Sequence, residues 1–222
     1  MTRVRIWDLP TRAFHWLLAS CVIGSIVSVQ LGGNAIAWHF RFGYAILALV
    51  LFRLIWGWVG PRYARFASFP PDPTAALASL RGAPHESAGH NPLGAFSVYA
   101  LLAALAFQAA SGLFANDSIM WDGPLKNLVS SETSDRITTL HRLNRFVLLG
   151  LIALHLVAIA WHSLRRRERL VRPMIEGDRI YPAGVALPPP ARDDARVRLT
   201  AAALIAGCAA AVAALLSLGR PG

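Results

Sequence analysis

The sequence predicts an all-α membrane protein, and three observations predict it. Five stretches are each long and apolar enough to cross a bilayer as a helix, which takes about 20 residues. Apolar residues make up 55% of the 222-residue chain and charged residues only 15%, where a soluble domain carries about 25% charge. The mean hydropathy is +0.45. The chain is nevertheless basic, with a net charge of +10, and its cations are unevenly shared among the segments between spans. This composition excludes a disordered chain, a collagen and a disulfide scaffold.

Taken in order, the N-terminal segment carries Arg3, Arg5 and Arg12 and leads into a first span over Ala13–Leu31. A basic start, an apolar run and Ala35-Ile36-Ala37 together have the form of a cleavable signal. The run is longer than a signal core, and Trp7, Asp8 and Pro10 precede it, so a retained span is expected. Gly32–Trp38 connects it to a second span, His39–Val59. The connection Gly60–Pro92 contains Phe-Pro-Pro-Asp-Pro at 69–73 and reads as loop. A third span, Leu93–Phe114, is followed by the connection Ala115–Leu140 and a fourth span, His141–Leu164. The connection Arg165–Arg198 holds the proline run 188–190 and ends at a fifth, alanine-rich span, Leu199–Leu218. Internal repeats are not evident. The two cysteines, Cys21 and Cys208, both lie in apolar runs, so no structural disulfide is expected.

With five spans, the N-terminus, the second connection and the fourth share one side of the membrane. That side carries 15 Lys and Arg, nine of them between Arg165 and Arg198. The other side carries 3: Lys126, Arg136 and Arg220. Arg41, Arg53, Arg142 and Arg145 lie within spans. Lys and Arg are retained on the cytoplasmic side, so the N-terminus is expected in the cytoplasm and the C-terminus outside. The run Arg165-Arg-Arg-Glu-Arg abuts a span directly and reads as its flank. No nucleic-acid partner is expected; the partner is membrane lipid.

Ionisable groups at membrane depth are costly and mark function. Of seven histidines, four fall inside spans or at their starts: His15, His39, His141 and His155. His141 and His155 are 14 residues apart, which puts them on one helix face about 21 Å apart along the axis. His15 lies near the inner end of the first span and His39 at the outer end of the second. Depth therefore pairs His15 with His155 inside, and His39 with His141 outside. Two imidazoles facing each other across helices can clamp a haem iron from both faces, leaving no open position for oxygen or substrate and so an electron carrier. Cys-x-x-Cys-His does not occur, so any haem is held without thioether bonds. Zinc is the competing reading, although zinc sites favour ligands converging at one depth, often with Cys or carboxylate.

Other residues suit the same chemistry. Arg53 follows His39 by 14 residues, on the same face, and no acidic side chain lies at its depth in any span. It either meets a haem propionate or snorkels to the inner interface. Arg142, Asn144 and Arg145 surround His141 and either hold the outer propionates or form an interfacial rim. Gly43 and Gly150 either leave room for a porphyrin face or reflect how common glycine is in membrane helices. His162, seven residues after His155, either bonds a propionate, carries protons for a quinone, or anchors the interface with Trp161. No pairing can be read for His85 and His90.

The stretch Ile6-Trp7-Asp8-Leu9-Pro10-Thr11-Arg12-Ala13-Phe14-His15-Trp16 resembles the opening of the bacterial cytochrome b561 family, which includes the b-type cytochrome subunits of nickel–iron hydrogenases. Trp38-His39 with Gly43, Arg53-Leu-Ile-Trp56-Gly57, Gly60-Pro61, Ala64-Arg65-Phe66 and Gly89-His90-Asn91-Pro92-Leu93-Gly94 extend the resemblance, as do His141, His155 and His162 in the fourth span. It covers residues 1–180. It implies a transmembrane four-helix haem-binding bundle holding two non-covalent haems b, with His15 and His155 as axial ligands of the inner haem and His39 and His141 of the outer. It implies electron exchange between the quinone pool of a respiratory chain and a periplasmic partner: a hydrogenase-like subunit, a cytochrome c or another redox protein. Residues 181–198 then form a cytoplasmic linker, and 199–222 an additional C-terminal helix with a short tail, a departure from the four-helix pattern.

The connection Ala115–Leu140 carries four acids against Lys126 and Arg136. A net negative surface suits a basic cytochrome c and counts against the family's other possibility, oxidation of superoxide coupled to quinone reduction, since an anionic substrate is steered by positive charge. A non-haem metal or proton transporter, or a membrane scaffold, is the alternative from another class, and it predicts a colourless protein. The letters single out no catalytic residue.

Overall fold

The computed structural model describes residues 1–81, 87–165 and 168–219. His85, Arg166, Arg167 and Arg220 lie outside the described residues. Five helices are long and apolar enough to cross a membrane: α1 (Leu9–Leu31), α2 (Ile36–Val59), α4 (Pro92–Gly112), α5 (Ser131–Arg165) and α7 (Ala195–Ser217). Between them lie two short helices, α3 (Pro73–Leu80) and α6 (Val171–Glu176), and an antiparallel strand pair, β1 (Thr2–Arg5) with β2 (Asp178–Tyr181). The all-α membrane class read from the sequence is the class observed.

The helices begin where polar side chains cap them, which is not where apolarity begins. Asp8 caps α1: its Oδ1 accepts the Thr11 N–H at 2.9 Å and its Oδ2 the Thr11 hydroxyl at 2.8 Å, with Pro10 in the first turn. Asn91 caps α4 through Gly94 N–H, and Pro92 follows as the first helical residue. Asp194 accepts the Val197 N–H at 3.0 Å and starts α7 four residues before Leu199. The largest difference is at α5. It is 35 residues long and so about 50 Å, well beyond the hydrocarbon thickness; its first turns are polar, where apolarity alone predicts a connection as far as Leu140. The proline-rich segment 69–73 likewise ends in a helix start, since Asp72 caps α3 through Thr74 and Ala75. The turn from α1 to α2 uses Gly32 and Gly33 at φ of 66° and 52°, a left-handed conformation that glycine adopts without strain.

The chain divides into two compact units, and each of the five long helices contributes residues to both. The first comprises residues 1–14, 53–100 and 151–202. Its core gathers Val4, Ile6, Trp7, Tyr63 and Ala191. β1 pairs with β2 in the register Arg3↔Ile180, and the Ile6 and Trp7 N–H groups donate to Gly177 O. Asp193 ties the unit together: its Oδ1 accepts the Leu9 N–H at 3.0 Å and pairs with Arg198 at 3.2 Å, while its Oδ2 pairs with Arg5 at 3.2 Å.

The second unit comprises residues 15–52, 101–150 and 203–222. Its core combines Leu47 and Ala48 of α2 with Leu113, Leu125 and Val212. The fifth long helix, α7, thus supplies core residues here, with Leu215 and Leu216 packed alongside Val212. Many large apolar side chains of α5, among them Leu143, Phe146, Val147 and Leu154, are exposed, as suits a helix facing lipid.

Candidate functional site

Within the second unit, His39 of α2 and His141 of α5 face each other with ring centroids 6.3 Å apart and planes at 88°. Both rings are held from behind. His39 Nδ1 lies 3.1 Å from the Ser25 carbonyl oxygen and 2.9 Å from Ser25 Oγ. The carbonyl can only accept, so Nδ1 carries the proton and Nε2 keeps its lone pair. His141 Nδ1 lies 3.0 Å from Ser111 Oγ, whose own proton goes to Gln108 O at 3.1 Å. Its Nε2 lies 3.0 Å from Gln108 Nε2, an obligate donor. Nδ1 thus carries the proton in both rings, and the Nε2 lone pair of His141 accepts from Gln108, so a metal on that atom would have to displace the amide.

This pair fits an iron between two imidazoles. Metal–imidazole bonds of about 2 Å on either side place the two ring centres about 6 Å apart once the ring radii are included. Gly43, one turn beyond His39, would project a Cβ into open space, as would Gly150. A Cβ on Gly112 would come within 3.1 Å of the His141 ring, so glycine there lets α4 approach the imidazole. Among the described residues no group of three or more His, Cys, Asp or Glu converges as a metal site, and two facing imidazoles suit an iron already carried by a porphyrin.

Around this pair the polar residues divide by role. Asn144 donates to Ala104 O at 3.0 Å and to Gln108 Oε1 at 2.7 Å, fixing the amide that touches His141. Arg142 and Arg145 are exposed, and Arg145 lies over the Phe146 ring at 4.7 Å. His15 also belongs to the second unit, half-buried and edge-on to Trp16 at 4.9 Å.

The first unit holds the remaining candidates. Arg53 is 3% exposed, lies over the Phe66 ring at 4.9 Å, and has one guanidinium nitrogen, Nη1, buried with no hydrogen-bond partner. A buried guanidinium in that condition is what an anionic carboxylate of a bound group would satisfy. Among the described residues the carboxylate acting on it electrostatically is Asp8, which is fully buried and also accepts the Trp56 indole N–H at 3.2 Å. Burial raises the Asp8 pKa, against the lowering effect of its Thr11 and Trp56 hydrogen bonds. His155 is half-buried. His162 pairs with Glu168 at 3.3 Å.

His90, for which the letters gave no role, is part of this cluster. Its ring sits between Phe69 at 4.2 Å and Trp7 at 4.8 Å, and its buried Nδ1 lacks a hydrogen-bond partner. Burial, then the charges of Arg53 and His155, push its pKa down to about 3. The sequence also gave no sign of Ser25, Gln108 and Ser111. Each is an ordinary small or polar residue in an apolar run, and its role follows from which helix it faces.

Five helices long and apolar enough to cross a membrane and two half-buried imidazoles facing each other at 6.3 Å define an all-α membrane protein with a histidine pair between its helices. The prokaryotic cytochrome b561 family model matches residues 6–177, and the chain belongs to this family of membrane b-type cytochromes that carry electrons by haem b. It is 24% identical over 215 residues to a probable Ni/Fe-hydrogenase B-type cytochrome subunit of Rhizobium leguminosarum bv. viciae, covering 80% of this chain and 89% of that protein. It is 23% identical over 220 residues to the corresponding subunit of Azotobacter chroococcum mcd 1, covering 81% and 90%. No solved structure matches the chain significantly.

Proposed function

We propose that this chain is a dihaem cytochrome of the bacterial inner membrane, carrying electrons between the quinone pool and a redox protein at the outer face. The observation that carries this reading is the His39–His141 pair: rings 6.3 Å apart, each held at Nδ1 by a serine oxygen. His39 and His141 then hold one haem and His15 and His155 the other. Bound haem iron supplies the one-electron step. The chain's own part is to fill both axial positions, to fix each imidazole tautomer, and to keep water from the apolar interior. Arg53 would meet a propionate of the inner haem, and Arg142 and Arg145 those of the outer. His162, with Glu168 as its carboxylate partner, provides a protonatable site for quinone chemistry at the inner end.

The relatives named as hydrogenase cytochrome subunits support a hydrogenase-like outer partner. The acidic connection between α4 and α5 supports docking of a basic one, such as a cytochrome c. Purified protein should be red and carry about two haems per chain by pyridine haemochrome assay. His39→Ala and His155→Ala should each retain one haem. A colourless protein would refute the cytochrome reading, and a single substitution that removes both haems or neither would refute the pairing.

A further inference from the structure

The first unit contains a cleft of about 480 Å³ that the haem reading does not use. Its lining comes from two stretches more than 120 residues apart in sequence: the end of α2 with the following turn (Trp56 to Arg65), and the approach to α7 with its first turns (Pro190 to Thr200). Trp56, Val59, Pro61 and Val197 supply apolar surface, and Arg62, Arg65, Arg192 and Arg196 supply charge.

Three of the four arginines of this cleft differ from Arg192 and from nearby ion-paired arginines in having no carboxylate partner among the described residues. Asp193 takes Arg5, Arg12 and Arg198, Glu176 takes Arg172, and Asp194 takes Arg192. Arg62, Arg65 and Arg196 are exposed and form no ion pair among the described residues. Three uncompensated guanidinium groups thus converge on one concave surface, although acidic side chains are available nearby. A flank that serves only to set membrane orientation needs positive charge and no cleft.

The position of the cleft adds a second requirement on the ligand. It lies where α2 ends and α7 begins, beside fully apolar, outward-facing side chains: Trp58 is 77% exposed, Val59 62% and Leu199 71%. A bound molecule therefore meets cations at one end and a lipid-facing surface at the other. Guanidinium groups recognise phosphate through paired, charge-assisted hydrogen bonds, and basic pockets between membrane helices suit anionic headgroups. A free phosphate would use the arginines and leave the apolar wall without a role.

We infer that this cleft is a binding site for an anionic phospholipid, its phosphate held among Arg62, Arg65 and Arg196 and its acyl chains lying along Val59 and Leu199. Such a lipid would bridge the end of α2 to the start of α7, giving the fifth long helix a second attachment beside its core contacts at Val212. The inference is independent of how many haems the chain binds.

The test uses the full-length, haem-loaded protein, delipidated in non-ionic detergent and titrated with phosphatidylglycerol, phosphatidylcholine or inorganic phosphate. Bound lipid is counted by native mass spectrometry, and the visible haem spectrum monitors integrity. Phosphatidylglycerol should bind with defined stoichiometry. The triple variant Arg62→Gln/Arg65→Gln/Arg196→Gln should weaken that binding at least ~10-fold, for three lost charge-assisted contacts, with an unchanged haem spectrum. A charge-matched control, Arg3→Gln/Arg81→Gln/Arg169→Gln, should retain it. Equal loss in both variants, or none in the triple variant, overturns the site. Equal binding of phosphatidylcholine overturns the anionic ligand, and competition by phosphate at the lipid's own concentration overturns the lipid source. Should the triple variant not assemble, Arg62→Gln and Arg196→Gln singly should each weaken binding ~3-fold, and no weakening in either overturns the proposal.

Discussion

At the scale of single residues, what matters is which imidazole nitrogen carries the proton. Ser111 and Ser25 each present an oxygen to an Nδ1, so Nε2 of His141 and of His39 is the atom each ring would offer to the iron of the proposed haem. Removing such a partner of a metal-bound histidine costs about 10–100-fold in affinity. Ser111→Ala is therefore expected to lose the haem of the His39–His141 pair faster than wild type, measured by haem transfer to an excess of an apoprotein acceptor, while the second haem stays. Equal retention of both would remove Ser111 from this role. His39 and His141 were legible in the sequence because an ionisable residue at membrane depth is expensive and stands out. Ser25, Gln108 and Ser111 were not. Small polar residues are ordinary in membrane helices, and only the facing of α1 with α2, and of α4 with α5, turns them toward a ring. His90 was hidden for a similar reason. It precedes α4 in a connection, and nothing in its neighbours along the chain announces that Trp7 and Phe69 enclose it.

At the scale of elements, the apolar cores of the helices were legible and their ends were not, because length in hydrocarbon and helix capping are different physical constraints. The β1–β2 pair was invisible as well, being four residues on each side and joined across nearly the whole sequence. Asp193 holds that assembly to α1 and α7. Burial raises its pKa, but the Arg198 hydrogen bond, the Leu9 N–H and the charges of Arg198 and Arg5 outweigh this and leave it below the usual carboxylate value. Its stabilisation is thus present above the unfolded-state pKa of about 3.9 and lost as pH falls through the lower folded-state value. Thermal unfolding of wild type should weaken over that acidic window, and Asp193→Asn should be less stable at neutral pH with a flatter acid dependence. A mutant profile parallel to wild type would show that other carboxylates set the acid limit. Gly123 makes a comparable demand at the other unit. A Cβ there would lie 2.5–2.6 Å from the carbonyl oxygens of Leu113 and Gly112, and backbone at a helix end has little freedom to move aside. Gly123→Ala is expected to cost about 1–3 kcal/mol, seen as a lowered unfolding temperature. An unchanged temperature would mean that the end of α4 yields.

At the scale of the whole molecule, greasiness and basicity answer two separate requirements. The 55% apolar content builds five spans, and the cations are sorted between the two groups of connecting segments, 15 against 3. Several of those 15 also have structural partners: Arg5, Arg12, Arg172, Arg192 and Arg198 are ion-paired, so the same residues that bias orientation hold the first unit together. This dual use makes charge-reversal experiments ambiguous, because reversing these charges also breaks the ion pairs. Labelling avoids the difficulty. Ile119 is 90% exposed in the connection between α4 and α5, and Ala183 is exposed in the segment before α7. The native Cys21 and Cys208 sit within α1 and α7 and are first replaced by serine and alanine. A membrane-impermeant maleimide applied to cells with a permeabilised outer membrane should then label Ile119→Cys, while Ala183→Cys should react only after the inner membrane is broken. That pattern follows if Lys and Arg are held on the cytoplasmic side. The opposite pattern would invert the assignment of the His39–His141 pair to the outer face, and with it the side on which the redox partner docks.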